Sequence, residues 1–482
     1  MRHVLWGVIR GEPMLNAVDD DFEAALRAML PAAAFPDPDS YLTEPRGRWK
    51  GQGFVVAPSS TQEISAVVKA CAAARIGIVP YGGGTGLVGG QIAPDGPRPV
   101  ILSLARMNTI RDVYPLENVL VCDAGAILAD VQQAAGNIGR LFPLSLASEG
   151  SARIGGLLAT NAGGVNVLRY GNARAQCLGL EVVLADGTIW NGLSRLRKDN
   201  TGYDLRNLMI GSEGSLGIIT GAALRLMPRP AHQGAAMITV PNPQAALELL
   251  ALAGDMIGDG ISAFEIIHRQ GFDFLDEKGP QVKAPFADIP DWCVLIDLGL
   301  ATDPQTALFD LFERAVTLGL ASDGVIAQSD AQRDALWHIR ESIPEANRRI
   351  GSVSSHDISV PLGAVPDFIT TAATALSKIG KFRIHFSAHL VDGNLHYTVF
   401  PPVGQSRADL EHLREAVKTS VHDLAHQFGG SVSAEHGIGR LKVGDIEKYA
   451  DPAKLAMMQG IKSGLDPVGI MNPGAVLPMS TN

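Results

Sequence analysis

The chain is poor in cysteine. Cys71, Cys122, Cys177 and Cys293 are the only four in 482 residues, and none forms a CxxC pair. That excludes both a zinc knuckle and a disulfide framework and makes a reducing compartment, cytoplasmic or matrix-like, the expectation. Long apolar runs are also missing. Only six uncharged residues, 4–9, separate His3 from Arg10, too few for a secretory segment or a bilayer span. The longest uncharged stretch, residues 76–94, holds seven glycines together with Pro80 and Pro94, so it is no membrane helix either. Basic excess is absent: 40 Lys and Arg against 50 Asp and Glu leave a net charge of −10 with no basic stripe, which argues against nucleic acid as a partner. No internal repeat or low-complexity tract is present, and either Met1 or Met14 could be the start.

What the sequence has in excess is glycine. Fifty-three glycines make up about 11% of the chain against an ordinary usage of about 7%, and they follow no fixed period, so they must be concentrated in particular loops. The length suits roughly three structural units. Residues 1–48 read as a lead-in. Residues 49–230 alternate short apolar strands with helices: a strand at 53–57, a Ser60-x-x-Glu63 capping box ahead of Ile64, Val67, Val68 and Cys71 at helical spacing, and a strand at 78–79. Further strands are expected at 119–122, 180–184 and 216–226, with a helix at 127–136. Residues 231–445, beyond Pro228 and Pro230, lose the glycine loops and form a second α+β unit with strands at 237–240 and 292–298 and helices at 243–252 and 305–318. Residues 446–482 are a helix, 452–465, followed by an extended tail.

Three loops carry the glycine: PYGGGTGLVGG (80–90), GSARIGGLLATNAGG (150–164) and GSEGSLGIIT (211–220). Small residues in succession let backbone N–H groups converge on a phosphate. Gly84-x-Gly86-x-x-Gly89 fits the dinucleotide fingerprint, but the prolines at 94, 97 and 99 forbid the helix such a turn must open. Three such loops suit a long ligand with a pyrophosphate, a sugar and a flat ring. In the second unit, AHLVDGNLHYT (388–398) places Asp392-Gly393 between apolar runs, the signature of a two-residue hairpin. That turn pairs Val391 with Asn394, Leu390 with Leu395 and His389 with His396, so the two imidazoles would face one another closely enough to share a metal ion. SAEHGIG (433–439) offers Glu435 as a third ligand, with His436 beside it. Two histidines and one carboxylate leave coordination positions open for catalysis.

These loops, with YLT (41–43), LSLARMN (102–108) and KDNTGY (198–203), resemble the vanillyl-alcohol oxidase/p-cresol methylhydroxylase flavoprotein superfamily over about residues 41–478. The resemblance is to its FAD-linked 2-hydroxy-acid dehydrogenases, the branch of D-2-hydroxyglutarate dehydrogenase, D-lactate dehydrogenase and the glycolate oxidase catalytic subunit. It implies an α+β protein with a two-subdomain FAD-binding domain and an α+β substrate (cap) domain built on an antiparallel sheet. FAD would lie with its pyrophosphate on Gly82, Gly83, Gly84, Thr85, Gly86 and Leu87. Gly150, Ser151, Gly155, Gly156, Thr160, Asn161, Gly163, Gly164 and Ile218 would line the rest, with Asn472 returning from the C-terminus to close the site. Neither of the first two loops contains a histidine, so noncovalent flavin is expected. The resemblance further implies a divalent metal, most often zinc, on His389, His396 and Glu435, with His436 as the base.

The W-x-x-R-E pattern of the family makes Arg340 the expected carboxylate-binding group, since a guanidinium grips a carboxylate at two points. Three positions depart from the family's dicarboxylate users. Ser355 stands in place of Lys, Thr398 in place of Asn and Pro344 in place of Thr, leaving Arg348, Arg349 or His385 as replacement cations. The expected activity is oxidation of a D-2-hydroxy acid, of the D-lactate or D-2-hydroxyglutarate type, to the 2-oxo acid, with hydride passing to flavin N5. Electrons would leave to an electron-transfer flavoprotein or a quinone, and a homodimer is one arrangement open to such a chain. The alternatives within the superfamily are a flavin oxidase using O2 and a non-redox flavoprotein like alkylglycerone-phosphate synthase.

Overall fold

The structure, a computed structural model, describes residues 15–47 and 49–479; both alternative starts, Met1 and Met14, lie outside them. Near the N-terminus, helix Thr61–Ala74 begins where Ser60 Oγ accepts the Glu63 amide at 3.2 Å. The reciprocal half of the capping box is shifted by one residue, the Glu63 carboxylate accepting from the Ser59 amide at 2.7 Å. The helix ends on Arg75 in the left-handed region, φ +56°. Its stripe of Ile64, Val67, Val68 and Cys71 is fully buried, each aliphatic side chain contributing roughly 1.5–3 kcal/mol. The stripe packs on a parallel sheet of Phe54–Val56, Val100–Ser103 and Ile78–Tyr81, in that spatial order. The middle strand is one the sequence reading did not anticipate. The C-terminal tail extends this sheet: Ile78 donates its amide to the Ile470 carbonyl at 2.7 Å, and Asn472 donates to the Ile78 carbonyl at 2.8 Å.

A five-stranded antiparallel sheet follows, ordered Ile110–Tyr114, Val119–Asp123, Ile218–Arg225, Cys177–Val183, Ile189–Gly192. The two sheets share one core, into which Ile470 and Met471 of the tail also pack.

Beyond Pro230 the chain builds a seven-stranded antiparallel sheet in the order Asp323–Ile326, His232–Val240, Trp292–Leu300, Ile261–His268, Arg383–His389, Asn394–Phe400, Ser354–Ser359. One face buries Phe264, Ile358, Phe386, Leu395 and Tyr397 beneath the helices Pro243–Ile257, Val365–Ser377 and Arg414–Gln427. The other face is apolar only in part. Ile267, Cys293 and Phe400 pack under helices Arg269–Lys278 and Asp330–Ile350. Beside them Glu265, His385, His389, Asn394, His396, Thr398, Ser355 and Asp357 occupy the same side, because the side-chain period of a strand is two.

The hairpin joining Arg383–His389 to Asn394–Phe400 corrects the expected register. Its loop has four residues, 390–393, and His389 pairs with Asn394 rather than with His396. Leu390 is withdrawn from the ladder into the core, its amide bonded to the Phe264 carbonyl at 3.1 Å, and Asp392 Oδ1 instead receives the Asn394 amide at 3.1 Å. The pairing is displaced by two positions. An even displacement preserves the face, so the two histidines remain neighbours, on a diagonal.

Candidate active site

His389 and His396 approach with Nε2 to Nε2 at 3.4 Å, and His396 Nε2 lies 3.6 Å from Glu435 Oε1. The three donor atoms all fall within 4.8 Å of one another. Four ligands at about 2.0–2.1 Å around a tetrahedral zinc ion lie about 3.3–3.4 Å from each other, so this donor set fits a metal ion. A further contact strengthens the fit. Buried Glu265 holds Nδ1 of His389 at 2.5 Å, which leaves Nε2 as the bare nitrogen turned toward His396. Burial would push the Glu265 carboxyl up, yet the charges of His389 and Arg340 prevail and hold it at about 2. For His389 burial opposes the charged form, while Glu265 outweighs it and raises the imidazole above its ordinary value. His396 moves the other way, driven down chiefly by burial.

Arg340 does not stand free over the site. Its Nε and Nη2 both bind Glu265 Oε2, at 2.9 and 2.8 Å, so the order is Arg340, Glu265, His389. His436 lies beside Glu435, with Nδ1 3.3 Å from Asp357 Oδ2 and Nε2 3.6 Å from Glu435 Oε1. Asp357 also accepts the amides of Glu435 at 3.1 Å and His436 at 2.9 Å, and Asn394 Nδ2 at 2.9 Å on its other oxygen. Burial opposes ionisation of Asp357, but His436 and Lys442 hold it well below the usual carboxylate range.

The glycine loops line an open cleft whose empty space, solvent at its mouth included, is about 870 Å³. Of the residues named from the sequence, Gly82, Gly83, Gly84, Thr85, Gly86, Gly155, Gly156, Thr160, Ile218 and Asn472 line it. Leu87, Gly150 and Ser151 do not. Val88 lines the wall in place of Leu87. Gly150 and Ser151 lie exposed on the turn before helix Ile154–Ala159, leaving Ala152 and Arg153 to face inward. A Cβ on Gly155 would stand 2.8 Å from that of Ala124, so packing demands glycine there, whereas a Cβ on Gly82 or Gly156 would meet nothing closer than 3.4 Å. The bare backbone of Gly82 and Gly156 on the cleft wall fits a cradle for a flat, phosphate-bearing group.

Asn161, Gly163 and Gly164 line a second cavity, whose opposite wall is His389, Asn394 and Glu435. The two halves approach closely, since a Cβ on Gly163 would lie 3.1 Å from Glu435 Oε2. Glu265, Asp357 and Glu213, the last accepting amides of the 433–439 segment, were not foreseen. The one sequence signal for Asp357 is its place in S-x-D-x-S (355–359), a strand polar at every second position.

The replacement cations are not at this face. Arg348 and Arg349 are held at the surface by Glu345, at 2.7 and 2.8 Å. His385 is on the face but buried, and burial with nearby His268 and Arg340 lowers it to about 3, so it is neutral.

Two sequence families match: residues 229–476 match FAD linked oxidases, C-terminal domain, and residues 53–192 match a FAD binding domain. The chain is 36% identical over 470 residues to a mitochondrial D-2-hydroxyglutarate dehydrogenase of Bos taurus, covering 96% of this chain and 84% of that one. It is 37% identical to a D-2-hydroxyglutarate dehydrogenase of Xanthomonas citri pv. viticola, covering 89% and 90%. Among solved structures it is similar to p-cresol methylhydroxylase with substrate bound, at TM-score 0.73, 18% identity and coverage of 96% and 98%. An alkyldihydroxyacetonephosphate synthase superposes with TM-score 0.70 at 18% identity, covering 96% and 88%. At such identities these two structures speak for the fold alone, a flavoprotein fold of the vanillyl-alcohol oxidase/p-cresol methylhydroxylase type. Among the described residues, no helix is long and apolar enough to cross a membrane.

Proposed function

The chain belongs to the FAD-linked oxidases and is an FAD-dependent 2-hydroxy-acid dehydrogenase; on that premise we propose that it oxidises a D-2-hydroxy acid to the 2-oxo acid at the His389, His396 and Glu435 site. The observation that carries this reading is the second cavity, where the loop of Asn161, Gly163 and Gly164 faces His389 and Glu435 across one space. Residues 49–230 would hold the flavin noncovalently, 231–445 would form the cap over the substrate, and 446–482 would return Asn472 to the flavin.

Bound FAD would supply the hydride acceptor, and a divalent ion, zinc by its donor set, would supply a Lewis acid for the substrate's hydroxyl and carboxylate. The rest falls to the chain's own side chains. Asp357 Oδ2, 3.3 Å from Nδ1 of His436, would hold the ring's proton on that side and leave Nε2 bare to receive the hydroxyl proton. As that proton moves to His436, the C2–H bond breaks and hydride leaves C2, so that the carbonyl forms with loss of two electrons and two hydrogens. Imidazolium on His436 is stabilised by Asp357, already ionised beside it. Glu265 fixes the ring of His389, and Arg340 neutralises Glu265. Reduced flavin would pass its electrons to an electron-transfer flavoprotein or a quinone. Four buried, unpaired cysteines support a reducing compartment, cytoplasmic or matrix-like.

The position of the charges supports a further choice of substrate. Ser355 lies on the site face, 3.4 Å from the Thr398 hydroxyl, and neither side chain carries a charge. We therefore favour a D-2-hydroxy monocarboxylate over a dicarboxylate. A screen of D- and L-2-hydroxy acids with an artificial electron acceptor tests the reading, with flavin and metal content measured on the same sample. Turnover of D-2-hydroxy acids with one FAD and one divalent ion per chain is expected; activity confined to L-acids, or none with a fully loaded sample, would overturn it.

A further inference from the structure

The segment 435–440, which carries Glu435 and His436, belongs to no helix or strand. Its shape depends on two buried carboxylates, one from each half of the molecule. Asp357, from the seven-stranded sheet, accepts the amides of Glu435 and His436. Glu213, from the third glycine loop, accepts the amides of Ile438 at 2.7 Å and Gly439 at 2.8 Å. Together they take four of the five amides from 435 to 439.

The Glu213 end is tied to the flavin cavity by several further bonds. The Glu213 carbonyl receives Asn472 Nδ2 at 2.8 Å, and Asn472 Oδ1 receives Arg440 Nη2 at 2.9 Å. Arg440 Nη1 donates to the Gly90 carbonyl at 2.9 Å, and the Arg440 amide donates to the Val88 carbonyl at 2.9 Å. Glu213, Asn472, Val88 and Gly90 all line that cavity. The knot is also strained. Glu213 and Asn472 hold φ of +52° and +43°, in the left-handed region that disfavours side-chain-bearing residues. Gly437 is equally constrained, for at φ +83° a Cβ there would stand 2.7 Å from Glu213 Oε1. Strain of this kind persists only where the surroundings over-determine it and concentrates at functional sites.

We propose that Glu213 is a positioning residue that couples flavin occupancy to the conformation of the 435–440 segment, so that a filled flavin cavity sets Glu435 and His436 in place. The inference rests on the proposed FAD and metal sites. Flavin against the wall formed by Glu213 and Asn472 would confine the carboxylate, and the carboxylate would confine the two amides. By linkage the coupling runs both ways, so ordering the segment strengthens flavin binding by the same factor.

Hydrogen exchange on the full-length chain tests this, because amide protection reads local opening directly. Peptides spanning 435–441 are followed in flavin-stripped and FAD-reloaded protein, for the unaltered chain and for Glu213→Gln, which keeps the shape but removes the charge and one acceptor. The expected result is at least about fivefold slower exchange in the segment on reloading FAD, lost in Glu213→Gln, while the strand Arg383–His389 exchanges equally in both. Zinc affinity of the unaltered chain should also be several-fold higher with FAD than without, a comparison that needs no variant to fold. Equal segment exchange with and without FAD, an unchanged protection ratio in Glu213→Gln, or equal zinc affinities would overturn the coupling. Protein that cannot be loaded with FAD at all would overturn the underlying reading and the coupling with it, whereas FAD retained without protection would remove the coupling alone.

Discussion

Glu265 Oε1 meets His389 Nδ1 at 2.5 Å across the fourth and fifth strands of the seven-stranded sheet, and its other oxygen takes Arg340. The side chain expected to grip the substrate thus reaches the site through a carboxylate and a histidine. Glu265 decides which nitrogen of His389 is bare.

Glu265→Gln should therefore weaken divalent-metal binding about ten- to a hundredfold, the usual cost of losing such an orienting partner, while FAD stays bound. Zinc retained after dialysis against graded chelator measures it. Affinity equal to that of the unaltered chain would mean that Glu265 serves only to neutralise Arg340.

His396→Ala removes one of the three donors outright. Flavin should remain, since no histidine lines the cavity of the glycine loops, while turnover falls at least about a hundredfold. Exhaustive chelation of the unaltered chain should do the same. Full activity in either experiment would make the imidazole pair structural.

Acid or heat denaturation should release free FAD into the supernatant. No histidine or cysteine lies on the wall of the flavin cavity, and all four cysteines are buried, with burial pushing Cys71 and Cys293 thiols far up and out of the nucleophilic range. Yellow colour that stays with the precipitated polypeptide would show a covalent link.

The glycine loops were legible from composition; packing demands glycine at some of their positions, Gly83 and Gly155 among them, while a Cβ on Gly150 or Gly156 would meet nothing closer than 3.9 Å. His389 and His396 were legible through alternation, and they survived a misread hairpin because a shift of two keeps the face. The shift itself could not be foreseen, since it depends on Leu390 finding the core and on Phe264, 126 positions earlier, receiving its amide. Glu265, Asp357 and Glu213 stayed hidden for a related reason. Each is a single carboxylate whose partners lie 37 or more positions away, and no local spacing marks such a residue. The strand Val100–Ser103 was missed because four residues between proline-rich turn and loop are too few to show a period.

The substrate follows from where the charges lie. A dicarboxylate needs a second cation, worth about 1.5–3 kcal/mol as a charged hydrogen bond, or roughly ten- to a hundredfold in affinity. On the site face Ser355 and Thr398 offer hydroxyls, His385 is neutral, and Arg340 is already paired to Glu265. D-lactate, or D-2-hydroxy acids with uncharged tails, should accordingly equal or exceed D-2-hydroxyglutarate in kcat/KM. Ser355→Lys should shift the ratio toward the dicarboxylate, because position 355 faces the same side as His396 and Asp357. A preference for D-2-hydroxyglutarate above about tenfold in the unaltered chain would defeat the argument and point to Arg46, which lies close enough to Asp357 and Arg414 to feel their charges. Arg46→Ala would then distinguish the two cases: collapse of the dicarboxylate preference would make Arg46 the missing cation, and an unchanged preference would return that role to Arg340.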